Sequence, residues 1–301
     1  MAVVALALLE CATTSAVSIH PDVKQKLIDE GRWEEMRELI RAAREAGMDA
    51  GVAGATPSLA AGAMGTEQAS RVPCILVEFS DNRWSSGVNT SVGRIDSMLF
   101  SDHQFATGSM RDYYLENSYG TFDVEGVVVG PVMMPRPYSA YIRGQAGIQL
   151  DTANSRTLVH DAVIAANPLI DFSQFDANGD GLVDGVMVIC AGYGYEESGN
   201  LDKIQSHHWY LPTYLLVDAD GKTIQDFTIQ PEEHGPYAGG GTNGIGVYCH
   251  EWGHLLGLID LYDEDYSSNG IGNWSLMGSG NYLNLSKTPA HIDQLPMPFE
   301  E

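Results

Sequence analysis

The chain has 301 residues, of which 44% are hydrophobic and 9% aromatic, a composition typical of a folded globular protein and not of a disordered one. Its formal net charge of -24 excludes a nucleic-acid partner, because neutralising phosphates requires clustered Lys and Arg. The four cysteines form no CxxC pair, so a zinc site built from cysteines is also excluded.

The N-terminal stretch MAVVALALLECATTSA is an apolar run followed by small residues. This pattern predicts a secretory signal peptide over residues 1–16, with Ala16 as its last residue. The alternative is a lipid-anchoring cysteine at Cys11, which Glu10 directly before it fits poorly. No segment approaches the ~20 residues of a membrane span, so stable membrane insertion is not expected. The sequence therefore predicts a secreted, extracellular protein.

Residues 17–50 contain HPDVKQKLIDEGRWEEMRELIRAAREAGM, which predicts two short charged helices separated at Gly31. Residues 51–70 are rich in Gly, Ala and Ser, the composition of a linker. A secreted hydrolase often carries such an N-terminal segment as a pro-segment that is removed on activation. The alternative is an ordinary helical hairpin that packs on the main domain.

From Arg71 onward, apolar strands alternate with helices. VPCILVEFSD and GVMVICAGYG predict strands buried on both faces, and in these runs Cys74 and Cys190 are expected to pack as small buried side chains. DSMLF, SMRDYYLENSYG and SRTLVHDAVIAAN predict helices, and TFDVEGVVVGPVMM predicts one or two strands. This alternation predicts an α/β fold with a mainly parallel twisted sheet in one domain, residues 71–301.

The stretch VYCHEWGHLLGLIDLYDEDY contains H-E-x-x-H, the zinc-hydrolase signature. His250 and His254, four residues apart, point to the same side of a helix, and Glu251 lies beside them. The alternative is a helical histidine pair on a solvent face. The apolar residues on either side favour a helix buried beneath a cleft.

A catalytic zinc site usually has three protein ligands and one open position. Gly257 can end the helix in a left-handed conformation, so that the chain reverses and brings back Asp260, an oxygen ligand that zinc accepts. Asp263 competes for this role, and Asp265 is less well placed. A glutamate from a second, downstream helix is excluded, because the only glutamates beyond this stretch lie at the C-terminal end.

The sequence GNWSLMGSGNY, about twenty residues after the histidines, predicts a tight turn that carries Met277. A methionine turn beneath the metal is the hallmark of metzincin peptidases. The neighbouring pair His207 and His208 cannot easily face one ion, and we expect both to be packing or cleft-lining residues.

A second cation site is predicted in DANGDGLVD, where Asp176, Asn178, Asp180 and Asp184 follow the first half of a calcium loop. The twelfth position is a methionine and a buried strand follows, so an ordinary EF-hand is excluded. A Ca²⁺-binding turn is the favoured interpretation, and a plain Asp/Asn/Gly turn is the alternative.

Taken together, these segments resemble the immune inhibitor A type of secreted bacterial metallopeptidase. The resemblance rests on ILVEFSD, GSMRDYYLENSYGTFDVEGVV, DFSQFDANGDGLVDGVMVICAGYGYEESG, IQSHHWYL, HEWGHLLGLIDLYD and WSLMGSG, in that order over roughly residues 71–285. HPDVKQKLIDEGRWEEM is similar to the pro-region of such enzymes. The resemblance implies a metzincin-like zinc endopeptidase, exported from a bacterium as a latent precursor, with proteins or peptides as substrates.

Carried over by position, His250, His254 and Asp260 bind Zn²⁺, Glu251 is the catalytic acid and base, and Met277 forms the turn. Members of the family commonly continue with more catalytic domain and with β-rich modules, so the expectation is a minimal enzyme, a truncated reading frame or a damaged copy. The alternative function is that of a non-catalytic secreted or surface binding protein that retains a structural metal site. Retention of Glu251 argues against it, since a structural site needs no base.

Overall fold

The computed structural model describes five stretches and one isolated residue of the chain: 18–49, 68–85, 91–151, 153–263, 270–282, and residue 268. The predicted signal peptide with Cys11, almost all of the predicted linker, and Asp265 lie outside the described residues. Both predicted N-terminal helices, the sheet and the predicted zinc ligands lie within the described residues.

A five-stranded sheet in the order β2-β1-β3-β7-β4 forms the centre of the fold. The first four of these strands are parallel to one another, and β4 pairs antiparallel with β7 at one edge. The predicted α/β fold with a mainly parallel sheet is confirmed. The strands are β1 (Gln68–Glu78), β2 (Phe122–Met133), β3 (Val186–Tyr193), β4 (His207–Tyr210) and β7 (Asp226–Glu233), and β5 (Val217–Ala219) and β6 (Lys222–Ile224) form a separate hairpin.

Seven α-helices occur in the described parts of the chain, and side chains cap several of them. Ser109 and Asp112 form a reciprocal capping box at the start of α4, and Asn154 caps α6 through its side-chain oxygen. None of these helices is long and apolar enough to cross a membrane. The helices are α1 (Pro21–Asp29), α2 (Trp33–Glu45), α3 (Val92–Phe100), α4 (Met110–Asn117), α5 (Tyr138–Ile142), α6 (Ser155–Ala166) and α7 (Ile245–Leu255).

The sheet separates two apolar cores, because successive side chains of a strand point to opposite faces. Along β1, Ile75 and Val77 enter the first core, whereas Cys74 and Leu76 enter the second. Helices α1, α2 and α6 contribute to the first core, and α3, α4 and α7 contribute to the second. The predicted zinc helix therefore packs on one face of the sheet and the N-terminal helices on the other.

The two N-terminal helices are present as predicted, and they meet at Gly31, whose φ of 69° is left-handed. They pack on the main domain: Val23 and Leu27 of α1 and Met36 and Ile40 of α2 are buried in the first core. The two N-terminal helices are thus part of the folded domain, as in the alternative of a helical hairpin packed on it.

Two details of the sheet differ from the sequence analysis. Strand β1 ends at Glu78 and does not continue to Asp81. The Asp81 carboxylate instead accepts hydrogen bonds from the backbone N–H groups of Tyr138 and Ser139, at the start of α5. Strands β4 and β7 extend the sheet beyond β3 and were not predicted from the sequence. The predicted burial of Cys74 and Cys190 is confirmed.

Strand β4 buries both adjacent histidines, in agreement with a packing role for them. The Nδ1 atom of His207 donates to the Gln205 carbonyl oxygen at 2.8 Å, and its Nε2 lies 2.8 Å from the Ser155 hydroxyl. Burial lowers the pKa of His207 to about 3, so its imidazole is neutral in the folded protein.

This buried histidine predicts a loss of stability in mild acid. The unfolded chain protonates His207 below its ordinary pKa of about 6.5, whereas the folded chain does so only near 3. The free energy of unfolding should therefore fall by about 1.4 kcal/mol per pH unit through this window from this group. We expect His207→Asn to remove this part of the slope in urea unfolding measured across the window.

The control is His103→Gln. His103 is exposed and its pKa is raised by its hydrogen bond to Asp102, so the variant should keep the acid-side loss of stability. A slope in His207→Asn equal to that of the wild type would contradict the assignment.

Candidate metal centre

Helix α7 carries the H-E-x-x-H sequence, and all of its residues are buried. His250 is 0% exposed and His254 is 2% exposed, which rules out a histidine pair on a solvent face. Their ring centroids are 4.9 Å apart on the same side of the helix. Cys249 points instead into the second core.

The chain leaves α7 through a left-handed glycine, as the sequence predicted. Gly257 has a φ of 89°, its N–H donates to the His254 carbonyl oxygen at 2.9 Å, and the Leu258 N–H donates to the Gly253 carbonyl oxygen at 3.0 Å. These two bonds form a Schellman motif, in which glycine is strongly favoured because it has no Cβ. The motif reverses the chain just before Asp260.

The reversal brings the Asp260 carboxylate onto both histidines. Asp260 Oδ1 lies 3.1 Å from His250 Nε2 and 3.5 Å from His254 Nε2, and all three side chains are buried. Nitrogen and oxygen ligands about 2.0–2.2 Å from a tetrahedral zinc ion lie about 3.3 Å apart. These two distances therefore fit a zinc-sized ion, and all three ligand atoms lie within 4.8 Å of one another.

The other ring nitrogen of each histidine is fixed by a backbone carbonyl group. His250 Nδ1 donates to Leu276 O at 2.9 Å, and His254 Nδ1 donates to Leu258 O at 2.9 Å. A carbonyl oxygen can only accept, so the proton of a neutral imidazole is on Nδ1. Both Nε2 atoms then present a lone pair to the common point, which is the tautomer that a metal requires.

Tyr262 orients the third side chain and was not singled out from the sequence. Its hydroxyl donates to Asp260 Oδ2 at 3.1 Å, leaving Oδ1 as the oxygen that faces the histidines. Asp263, the competing ligand in the sequence analysis, accepts a hydrogen bond from the Ser268 N–H and takes no part in the cluster. The geometry therefore selects Asp260 as the third member.

Met277 lies directly beneath the helix. Its side chain is fully buried, and a Cβ built on Gly253 would lie 3.0 Å from its sulfur atom. Its carbonyl oxygen accepts from the Leu261 N–H at 2.8 Å, and the preceding Leu276 carbonyl binds His250. The turn at residues 275–278 thus supports both the first histidine and the segment that carries Asp260.

Negative charge is concentrated at this point of the interior. Oxygens of Glu251 and of Asp49, which follows α2, lie within 4.8 Å of each other and of a ring nitrogen of His254. Burial, and next the charge of Asp260, raises the pKa of Asp49. Three buried carboxylates in one place are unfavourable without a compensating cation. The donor set therefore fits a divalent metal ion.

The comparison with known proteins identifies the family of this chain. The sequence model described as "Immune inhibitor A peptidase M6, catalytic domain" matches residues 59–295. The chain belongs to the immune inhibitor A peptidase M6 family. The match confirms the resemblance found in the sequence.

Two relatives match this chain over only part of their own length. It is 32% identical to immune inhibitor A of Bacillus thuringiensis subsp. alesti over 225 residues, which cover 62% of this chain and 31% of that protein. It is 28% identical to the pre-pro-metalloprotease PrtV of Vibrio cholerae serotype O1 (strain ATCC 39315 / El Tor Inaba N16961) over 267 residues, 73% of this chain and 28% of that protein. The chain therefore spans less than a third of the length of either relative in the alignment.

The second cation site predicted for this M6 peptidase chain finds no support in the geometry. Asp176 accepts from the N–H groups of residues 179, 180 and 181 and from the Lys222 ammonium at 2.5 Å. Asp184 accepts from the Ala177 N–H, and Asn178 and Asp180 bond to each other. Backbone donors and a lysine thus satisfy Asp176, as in a plain Asp/Asn/Gly turn, whereas Asp184 Oδ1 is buried and has no hydrogen-bond partner among the described residues.

The reversal at Gly257 can be tested by adding a single methyl group. In Gly257→Ala, the left-handed residue should cost about 1–2 kcal/mol of unfolding free energy, and Zn²⁺ should bind more weakly because Asp260 is displaced. Chemical denaturation and competition with a chromophoric chelator measure the two effects.

The matched control is Gly221→Ala in the β5–β6 turn. Gly221 has a similar φ of 78°, and nothing lies within 4 Å of an added Cβ. We expect a comparable loss of stability with unchanged Zn²⁺ affinity. Equal Zn²⁺ affinities in the two variants would contradict the role of Gly257.

The hydrogen bond from the Tyr262 hydroxyl to Asp260 can also be tested. Tyr262→Phe removes only the hydroxyl that orients the carboxylate, so Zn²⁺ affinity should fall by about 10–100-fold. Tyr214→Phe, at a tyrosine that is 72% exposed, is the control and should bind Zn²⁺ like the wild type. Competition with the same chelator measures both Zn²⁺ affinities. If Tyr262→Phe binds Zn²⁺ as tightly as the control does, the hydroxyl has no orienting role.

Proposed function

We propose that this chain is a zinc-dependent endopeptidase that hydrolyses peptide bonds of proteins. One observation carries the proposal. The buried side chains of His250, His254 and Asp260 come together beside Glu251, in a chain that belongs to a peptidase family. We assign the three convergent side chains as the zinc ligands and Met277 as the methionine turn of a metzincin-like centre.

A zinc ion bound there supplies a Lewis acid for the substrate carbonyl and an activated water molecule. Glu251 is next to the first histidine and is buried, so its carboxylate is held within the centre. In the proposed mechanism it accepts the proton of the attacking water and delivers it to the leaving amine. The backbone carbonyl groups of Leu276 and Leu258 keep the histidine rings oriented while this proton moves.

The proposal extends to the organisation and export of the chain. We assign residues 1–16 as a signal peptide, 17–50 as a pro-segment, 51–70 as a linker and 71–301 as the catalytic domain of a secreted bacterial enzyme. The name of the Vibrio cholerae relative, pre-pro-metalloprotease, supports a precursor of this kind. N-terminal sequencing of the protein recovered from a bacterial culture medium tests these boundaries.

Replacing the proposed base tests the activity. Glu251→Gln keeps the shape of the side chain but cannot accept the proton, so casein cleavage should fall by about 10²–10⁴-fold while Zn²⁺ affinity is retained. Both proteins are assayed before and after limited proteolysis of the N-terminal segment, with and without a chelator. Cleavage by Glu251→Gln at the wild-type rate would show that Glu251 is not the base.

The same assay separates the enzyme from a non-catalytic binding protein with a structural metal. A binding protein retains the metal but shows no chelator-sensitive proteolysis, even after the N-terminal segment has been removed. If the wild type cleaves casein in a chelator-sensitive way and Glu251→Gln does not, the chain is an endopeptidase.

A further inference from the structure

A short non-helical stretch, residues 18–20, contacts the chain that follows the methionine turn. The Tyr282 hydroxyl donates to the Ser18 carbonyl oxygen, and the His20 N–H donates to the Glu196 carbonyl oxygen at 3.0 Å. Both bonds are made to main-chain groups, which almost every peptide residue carries whatever its side chain is. Tyr282 and Glu196 therefore offer two contacts that can hold the backbone of another peptide in the same way.

Two tyrosine rings lie beside the side chain of His20. Its ring meets the Tyr282 ring edge-on, with centroids 5.6 Å apart, and lies 6.5 Å from the Tyr237 ring. The Tyr237 N–H donates to the Glu197 carbonyl oxygen at 3.3 Å, which ties this ring to the chain next to Glu196. Tyr237 is 39% exposed, so its ring offers surface to a ligand. Because aromatic rings attract one another at such distances, the place suits a peptide residue with an aromatic side chain.

This place adjoins the metal helix. The Tyr282 side chain packs with Val247, which lies four residues before Glu251 and therefore on the same side of α7. Burial is the largest cause of the raised pKa of Tyr282, and the charge of Glu251 contributes to it. Tyr282 is thus close enough to the proposed base to bind the same substrate molecule.

A cavity of about 740 Å³ connects the stretch at residues 18–20 with the third predicted ligand. It is lined by Ser18 and by Tyr262, whose hydroxyl bonds to Asp260. Ile271 and Trp274, which are 41% and 77% exposed, also line it. The cavity gives a bound peptide room to extend past the metal centre.

We propose that Tyr282, Tyr237 and the Glu196 carbonyl group form a substrate subsite, which holds the main chain of a peptide and selects an aromatic side chain. The inference rests on the proposed endopeptidase and concerns which bonds it cleaves. After the pro-segment has been removed, a substrate residue takes the place of His20, with its ring beside the two tyrosines. The carbonyl group two residues earlier in the substrate accepts from the Tyr282 hydroxyl. The enzyme therefore cuts at a fixed distance from an aromatic residue.

The cleavage sites in casein test the aromatic preference. The full chain is treated by limited proteolysis of its N-terminal segment, casein is digested, and the new peptide ends are sequenced by mass spectrometry. We expect aromatic residues at one fixed position relative to the cut bond, enriched about 2–10-fold. Tyr237→Ala removes one ring of the subsite and should lose most of this enrichment. Tyr214→Ala, at a tyrosine that is 72% exposed outside the subsite, is the control and should retain it.

The main-chain contact is tested by kinetics on one casein peptide that the wild type cleaves. Tyr282→Phe keeps the ring but removes the hydroxyl, so KM should rise about 3–10-fold with little change in kcat, because one hydrogen bond to the bound substrate is lost. Tyr248→Phe is the matched control, since the Tyr248 hydroxyl donates to the Pro231 carbonyl oxygen at 2.9 Å within the domain. Its KM should equal that of the wild type. A Tyr282→Phe protein with unchanged KM would contradict the subsite.

Peptide binding to Glu251→Gln separates this inference from the proposed function, because binding needs no turnover. A fluorescein-labelled Ser-Ile-Phe-Ala-Ala peptide and its counterpart with Ala in place of Phe are titrated into the variant after the same proteolysis, and fluorescence anisotropy is recorded. Binding of the Phe peptide about 2–10-fold more tightly supports the subsite. Equal affinities, or casein cleavage sites without aromatic enrichment, overturn the subsite and leave the metal centre as it is. If the wild type shows no chelator-sensitive cleavage, the endopeptidase is overturned, and the two peptide affinities still decide on the subsite.

Discussion

Two backbone hydrogen bonds, from Gly257 to the His254 carbonyl and from Leu258 to the Gly253 carbonyl, turn the chain back at the end of the metal helix. Everything else at the centre depends on this reversal. It sets the distance between the Asp260 carboxylate and the two imidazoles, and it places the Leu258 carbonyl where it fixes the ring of His254. A residue with a Cβ would strain this turn. The site is therefore built from one helix end and its immediate continuation, with a second support from the turn that contains Met277.

The sheet determines what surrounds this helix end. Helix α7 packs on one face, where its apolar residues join those of β1 and β3, and the antiparallel strand β4 forms the edge next to the histidines. A buried helix excludes water from the three carboxylates and two imidazoles, so their interactions are stronger than on a surface. The same burial makes the cluster dependent on a compensating positive charge. Helix α7 thus both covers one face of the sheet and carries the two histidines of the centre.

Sequence reasoning succeeded where the determining contacts are local. Helical periodicity places His250 and His254 on one side, and the glycine rule turns the chain toward Asp260, all within eleven residues of sequence. Strand β7 escaped detection because five of its eight residues are polar and Pro231 lies within it, so it has no continuous apolar pattern. The Ca²⁺ prediction failed to find support for a different reason. Lys222, which neutralises Asp176, is 46 residues away in the sequence, and spacing within a loop carries no information about such a partner. Asp49 is still more remote from its neighbours, 159 residues from His208.

The N-terminal helices share the first core with the sheet, where Val23, Leu27, Met36 and Ile40 are buried together with Val188 of β3. Detaching these helices exposes apolar side chains that the intact chain keeps dry. Removing residues 18–49 should therefore lower the free energy of unfolding of the remaining domain. Cutting the chain after these helices, as proposed for its maturation, would thus shorten the time for which the remaining domain stays folded.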